Sequence, residues 1–237
     1  MTGKLYGIGL GPGDPELMTL KAHRLITSAR VIAYPAPDSG ESFARSIASK
    51  IIPADAEEIP MIVPMRVDRF PAQEVYAEAA ETISHHLGAG TDVVVLCEGD
   101  PFFYGSFMYL FSRLSAAFPV EIVPGVSSLA GCTAAMQSPL VARNDVLTVL
   151  PGPLPDADLK ARIEASEAVA IMKVGRHLPR LRALVERTGL MARAAYVERA
   201  TLPNQRALPL AEAPETAPYF SMILITKGTD PWLNPTP

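Results

Sequence analysis

The sequence predicts an α/β protein of two lobes, and three observations predict it. Short runs rich in valine, isoleucine and leucine alternate with segments whose apolar residues recur at helical spacing. The alternation falters at "MQSPLVARND", where Ser138, Pro139 and the Asn144–Asp145 pair are turn formers, and then resumes. Glycine- and proline-containing loops follow the strands of the first half. Strand, helix, strand, helix implies a mainly parallel sheet with crossover helices. The expected lobes are residues 1–138 and 139–237.

Each element has its own signal. Lys4 to Leu10 reads as a short buried strand, and Met18, Ala22, Leu25 and Ala29 mark a helix face. Arg30 to Tyr34 is a second strand, and Phe43 to Ile51 a helix. Val75, Ala79, Ile83 and Leu87 form one face of another helix. Asp92 to Cys97 is the valine-rich strand. Phe107, Leu110, Phe111 and Leu114 then make a helical stripe, Val120 to Val123 a strand, and "PGVSSLAGCTAAM" a helix of small residues. In the second lobe, strands are expected at Val146–Leu150, Val169–Val174, Ala194–Glu198 and Met222–Thr226. Helices are expected at Leu159–Ala165 and along Leu178, Leu181 and Val185.

Composition narrows the class. The 237 residues carry 49% hydrophobic and 19% charged side chains, which excludes a disordered chain. The net charge of -4 gives no basic footprint for nucleic acid, although Arg66 with Arg69, and Arg176 with Arg180 and Arg182, form local clusters. Cys97 and Cys132 each sit among apolar residues and read as buried thiols rather than a disulfide. The four histidines have no metal-ligand spacing to cysteine, so no metal site is expected. The opening "MTGKLYGIGLG" is no signal segment and no run reaches membrane-spanning length, which together fit a cytoplasmic enzyme.

Three loops of the first lobe carry the chemical information: "GLGPGDPELMT", "CEGDPFFYGS" and "VPGVSS". In a parallel sheet, loops at the carboxyl ends of strands line the ligand crevice. The first starts like a dinucleotide fingerprint, but Asp14 stands at the third glycine position and Pro12 removes a backbone donor. It also lacks the Gly-Lys-Ser/Thr of a phosphate loop. The acidic second loop argues against phosphate and suits a ligand with an amine or hydroxyls. Ser127 and Ser128, at a helix start, are capping residues first, and that helix also offers N–H groups to a carboxylate. A ligand carrying ammonium, carboxylate, ribose and adenine satisfies all three loops, and S-adenosylmethionine is such a ligand.

"GLGPGDPELMTLKA", "CEGDPFFYGSFMYL", "VPGVSS" and "VERAT", in this order and spacing, resemble the tetrapyrrole methylase family over essentially the whole chain. The resemblance implies two α/β lobes, a mainly parallel sheet in the N-terminal lobe and a mixed sheet in the C-terminal lobe. It also implies S-adenosylmethionine folded between the lobes, S-adenosylhomocysteine as product, and a homodimer. It places Glu98, Gly99 and Asp100 against the methionine and ribose, with Phe103 beside them. Pro12 lines the cleft, Ser127 and Ser128 contact the cofactor, and Met172 and Ala200 lie around the adenine. By its residue type and neighbours alone, Met172 is a core strand residue. Many relatives have Gly-Gly-Asp in place of Glu98-Gly99-Asp100, so Glu98 is a departure, its side chain directed to substrate or to solvent.

The long form "CEGDPFFYGSFMYL" is similar to that of members acting at C(20) of precorrin-2, which gives precorrin-3A in cobalamin biosynthesis. The alternatives are the cobalt complex of the same tetrapyrrole, or another regiochemistry. Transfer to a nucleophilic ring carbon demands in-line geometry above all. Glu98, Asp100 and Tyr104 are candidates for a base, and the sequence does not choose among them. Arg66, Arg69, Arg143 and Arg176 are candidates to pair with the substrate carboxylates. A non-catalytic nucleotide-binding module is the rival from another class, and the broken phosphate fingerprints count against it.

Overall fold

The computed structural model describes residues 1–63 and 70–228, the side chains of 70–72 apart. The chain forms two compact units, the second beginning at Ser128.

In the first unit, β1 (Leu5–Gly9), β2 (Val31–Ala36), β3 (Glu57–Ile62), β4 (Val93–Cys97) and β5 (Val120–Val123) form one sheet. Its order is β3-β2-β4-β1-β5 and every pairing is parallel. Parallel neighbours need crossovers, and α1 (Leu20–Thr27), α2 (Phe43–Ala48), α3 (Phe70–Gly88) and α4 (Phe107–Leu114) supply them. Alternation along the strands divides the core. Ile8, Ile32, Val94 and Leu96 pack with Ala22 and Ile26 of α1 and Ala44 and Ile47 of α2. Leu5, Ala33, Val93 and Val95 pack with Tyr76 and Ile83 of α3 and Phe107 and Leu110 of α4. With both faces covered, β4 is apolar at every position, which explains its unbroken valine run. Thr19 and Ser42 cap α1 and α2, accepting from the N–H groups of Ala22 (3.1 Å) and Arg45 (3.2 Å). Pro15 starts only a single 3₁₀ turn, Pro15–Leu17, and α1 proper begins at Leu20.

The second unit contains α5 (Ser128–Met136), β6 (Leu147–Pro151), α6 (Asp156–Ala165), β7 (Ala168–Met172), α7 (Leu178–Arg187), β8 (Ala194–Glu198), β9 (Arg206–Pro209) and β10 (Ser221–Thr226). The sheet order is β6-β7-β10-β8-β9. β6 and β7 are parallel and the other pairs antiparallel, so this sheet is mixed, as expected. One face, with Val169, Ile171, Tyr196 and Ile223, packs with Leu159 and Ile163 of α6 and Leu181 and Val185 of α7. The other face, with Ala168, Ala170, Val197, Met222 and Leu224, meets Cys132 of α5.

Two strands escape the sequence reading, β3 and β9. Both are sheet edges and both contain proline, Pro60 and Pro209. An edge strand leaves one row of backbone groups without a strand partner, so it tolerates proline, and proline weakens the sequence signal of a strand. Among the described residues, no helix is long and apolar enough to cross a membrane, and no group of three His, Cys, Asp or Glu residues is placed to hold a metal ion.

Gly7 in β1 lies against the buried ring of Phe107; a Cβ there would stand 2.5 Å from the ring. Gly7→Ala therefore overpacks the interface between β1 and α4 and should cost about 1–3 kcal/mol in urea denaturation. Adding Phe107→Leu should cost less in the Gly7→Ala background than in wild type; strict additivity would show that the two residues do not share that space.

Candidate functional site

The chain leaves β1 toward β2 through α1 on one face, and leaves β4 toward β5 through α4 on the opposite face. β1 and β4 are neighbours, so their carboxyl ends form the topological switch point where an open α/β sheet binds its ligands. Here the first and second loops are joined through their backbones. Leu10 N donates to Cys97 O at 2.9 Å, Gly11 N to Gly99 O at 3.2 Å, and Gly99 N to Gly11 O at 2.8 Å. Gly99 takes φ +63°, a left-handed conformation open to glycine without penalty.

The third loop closes onto the other two. A Cβ on Gly125 would lie 2.0 Å from Gly99 O and 2.8 Å from the Gly9 backbone. Only hydrogen fits there, so three strand ends meet backbone to backbone. Gly125 was not among the sequence candidates; its signal is a glycine after proline just past a strand.

The side chain that organises this junction is Asp100. Its Oδ1 accepts the N–H groups of Phe102 (2.9 Å) and Phe103 (3.0 Å), and its Oδ2 accepts that of Gly125 (3.1 Å). A carboxylate has about four acceptor positions, and three are taken by backbone. The carboxylate thus folds its own loop and ties it to the next.

Glu98 is half-buried. Its carboxyl receives the backbone N–H of Ala44, at the start of α2. Burial pushes its pKa up, while this bond and its own N–H pull it down. The neighbouring Cys97 thiol is pushed well up by burial and by the charges of Glu98 and Asp100, and burial pushes Cys132 up to about 12. Both are free and buried, so neither is a nucleophile at neutral pH.

Pro12 is half-buried and follows the Gly11–Gly99 bridge directly. Phe102 packs edge-on against Phe111 with centroids 5.2 Å apart, and Phe103 against Tyr104 at 5.4 Å, all three loop aromatics keeping exposed surface. Tyr104 takes φ +59°, which turns the chain toward α4. Phe107 is buried and belongs to the core rather than to this aromatic surface. Ser127 directly precedes α5, and Ser128 is its first residue.

In the second unit Met172 and Ala200 lie at the same end of the sheet, with β10 between their strands. β6, β7 and β8 run in one direction, so Met172 and Ala200 follow to the same sheet edge. Both belong to the apolar cluster on the face that meets α5. Gly152 N donates to Met172 O at 2.7 Å, and Arg180 donates to Gly152 O, so the Met172 backbone is held from the neighbouring loop. Glu198 is buried before Ala200, its carboxylate accepting from Tyr196 Oη (2.6 Å) and pairing with Arg199 (3.2 Å) and Arg206 (3.6 Å). Burial first, and then that carboxylate, push the Tyr196 pKa up.

The arginines do not converge within this unit. Arg176 is exposed in the 3₁₀ turn after β7, whereas Arg143 sits in an exposed turn leading into β6, at the opposite sheet edge. Arg66 and Arg69 lie outside the described residues.

With this geometry in hand, the comparisons are specific. The family model of tetrapyrrole (corrin/porphyrin) methylases matches residues 4–214, and the chain belongs to that family. A precorrin-2 C(20)-methyltransferase from Sinorhizobium sp is 41% identical, covering 96% of this chain and 97% of that one. A cobalt-precorrin-2 C(20)-methyltransferase from Salmonella typhimurium is 31% identical, covering 96% and 98%. The crystal structure of uroporphyrin-III C-methyl transferase from Thermus thermophilus, complexed with S-adenyl homocysteine, matches with a TM-score of 0.68 and 27% identity, covering 94% and 97%.

Asp100→Ala leaves three backbone donors without their acceptor and should lower the unfolding free energy by about 1.5–3 kcal/mol, the worth of hydrogen bonds to a charged group. Asp100→Asn keeps one acceptor oxygen but turns an amide toward a donor, and should lose an intermediate amount. Urea denaturation measures both; an Asn variant as stable as wild type would show that one half of the clamp contributes nothing.

Proposed function

We propose that this chain transfers a methyl group from S-adenosylmethionine to C(20) of precorrin-2 in cobalamin biosynthesis. The observation that carries this reading is the 41% identity, across nearly the whole length of both chains, to a relative of that name. The junction supports it physically. The glycines at the ends of β1, β4 and β5 bring three loops together at the switch point where open α/β sheets bind ligands, and the edge at Met172 and Ala200 offers apolar surface to a flat heterocycle.

S-adenosylmethionine supplies an electrophilic methyl on a sulfonium. In the first unit, Pro12, Glu98, Gly99, Asp100 and Phe103 are the proposed neighbours of its methionine and ribose, with Ser127 following. Glu98 and Asp100 act there mainly by holding backbone, since each carboxylate already accepts N–H groups. In the second unit, Ser128, Met172 and Ala200 are the proposed neighbours, the last two for the adenine. The exposed rings of Phe102, Phe103 and Tyr104 offer flat apolar surface to a macrocycle. Of the arginines, Arg176 is the described candidate that shares a sheet edge with Met172 and Ala200. The base candidates remain Glu98, Asp100 and Tyr104, the two carboxylates of which already accept backbone N–H groups.

A second reading is the cobalt complex of the same tetrapyrrole, favoured by the 31% identical relative. Incubation with each tetrapyrrole and methyl-labelled S-adenosylmethionine, followed by carbon NMR, should put the label on C(20) of the metal-free substrate. Label at another carbon sinks the regiochemistry, and turnover of the cobalt complex alone promotes the second reading. The chain is also proposed to be a homodimer; light scattering at micromolar concentration should give twice the chain mass of 25.4 kDa, and a monomer mass excludes it.

A further inference from the structure

Ala200 is buried between two non-glycine residues in the left-handed region, Arg199 at φ +51° and Thr201 at φ +71°. A β-branched residue at such an angle is a genuine outlier, because its Cβ crowds the following carbonyl. Such strain persists only where the surroundings hold it, and it clusters where a protein must present a defined surface.

What holds this turn is visible bond by bond. Arg199 N donates to Phe220 O at 2.9 Å, Leu202 N to Arg199 O at 3.0 Å, and Gln205 N to Leu202 O at 3.0 Å. These are backbone bonds that most side chains would permit. Thr201 N, at the strained residue itself, donates to the side-chain Oε1 of Gln205 at 2.9 Å. Gln205 is exposed and belongs to no core cluster, so burial does not explain its side chain's placement. The residue ahead of the turn is fixed separately, by the Glu198 carboxylate between Tyr196, Arg199 and Arg206.

We propose that Gln205 is a positioning residue for the adenine end of S-adenosylmethionine: its amide oxygen holds Thr201 left-handed and so fixes Ala200 at the same end of the sheet as Met172. This rests on the reading of Ala200 as an adenine neighbour. A turn already held in the bound shape does not have to be ordered when the ligand arrives, and the benefit appears in affinity rather than in the rate of transfer.

The test uses the full chain and three variants, with S-adenosylhomocysteine affinity from calorimetry and KM and kcat from methyl transfer. Gln205→Ala should raise Kd and KM about five- to tenfold, the size of one lost hydrogen bond, with kcat changed less than about twofold. Gln205→Glu keeps an acceptor oxygen and should bind as wild type does. Thr201→Gly added to Gln205→Ala should recover a large part of the loss, because glycine holds positive φ without a Cβ penalty. Unchanged Kd in a folded Gln205→Ala chain, a loss confined to kcat, or a folded Gln205→Glu chain with Kd raised about fivefold or more overturns the inference while leaving the methyltransferase reading intact. Wild-type protein that binds no S-adenosylhomocysteine overturns both.

Discussion

The first unit depends on one carboxylate accepting three backbone N–H groups from two loops. Asp100 sits where β4 ends, and without it the segment from Phe102 to Tyr104 and the loop at Gly125 have no common anchor. The glycines around it are the other half of the same constraint. A carboxylate can gather backbone donors only where main chains approach closely, and Gly99 and Gly125 make that approach possible. This is how an acidic, glycine- and proline-containing turn can follow an apolar strand: the acid is spent on the protein's own backbone, which leaves the loop aromatics on the outside.

The second unit reaches a defined edge by other means. One face of its sheet packs Ala168, Ala170, Val197, Met222 and Leu224 with Cys132 of α5, and the opposite face carries the residues that bind α6 and α7. The edge itself is held by side chains that reach backbone carbonyls or buried charge: Arg180 on Gly152 and Leu154, and Arg199 and Arg206 on Glu198. Hydrogen bonds from guanidinium groups to a fixed loop are charge-assisted and directional. They leave the Met172 and Ala200 backbones with few alternative conformations.

The elements that were legible in the sequence are those whose burial is local. β4, α4 and α7 carry apolar stripes or runs at the right period, and the structure places them where those periods predict. The elements that were not legible are edges. "EEIPMI" and "RALP" have neither a clean alternation nor a proline-free run, and each is a strand only because a neighbouring strand supplies its ladder. The proposed site divides in the same way. Gly99, Asp100, Met172 and Ala200 lie in motifs that could be read by resemblance, while Gln205 lies in a polar turn with no periodicity to mark it.

By itself, the sequence determined the two α/β halves, the parallel character of the first sheet, and the family, because hydrophobic period and loop motifs are written in consecutive residues. Only the tertiary structure decided what the polar side chains do. Glu98 turns to the N–H of Ala44, Asp100 to Gly125, and Gln205 to Thr201. In the first two cases the partner stands on another element of the fold, and sequence spacing carries no information about it. In the third it is four residues away, but that spacing brings the amide oxygen onto the N–H only in the folded turn with Thr201 left-handed. A polar side chain takes whichever donor folding brings within about 3 Å, and that distance exists only after the core has packed.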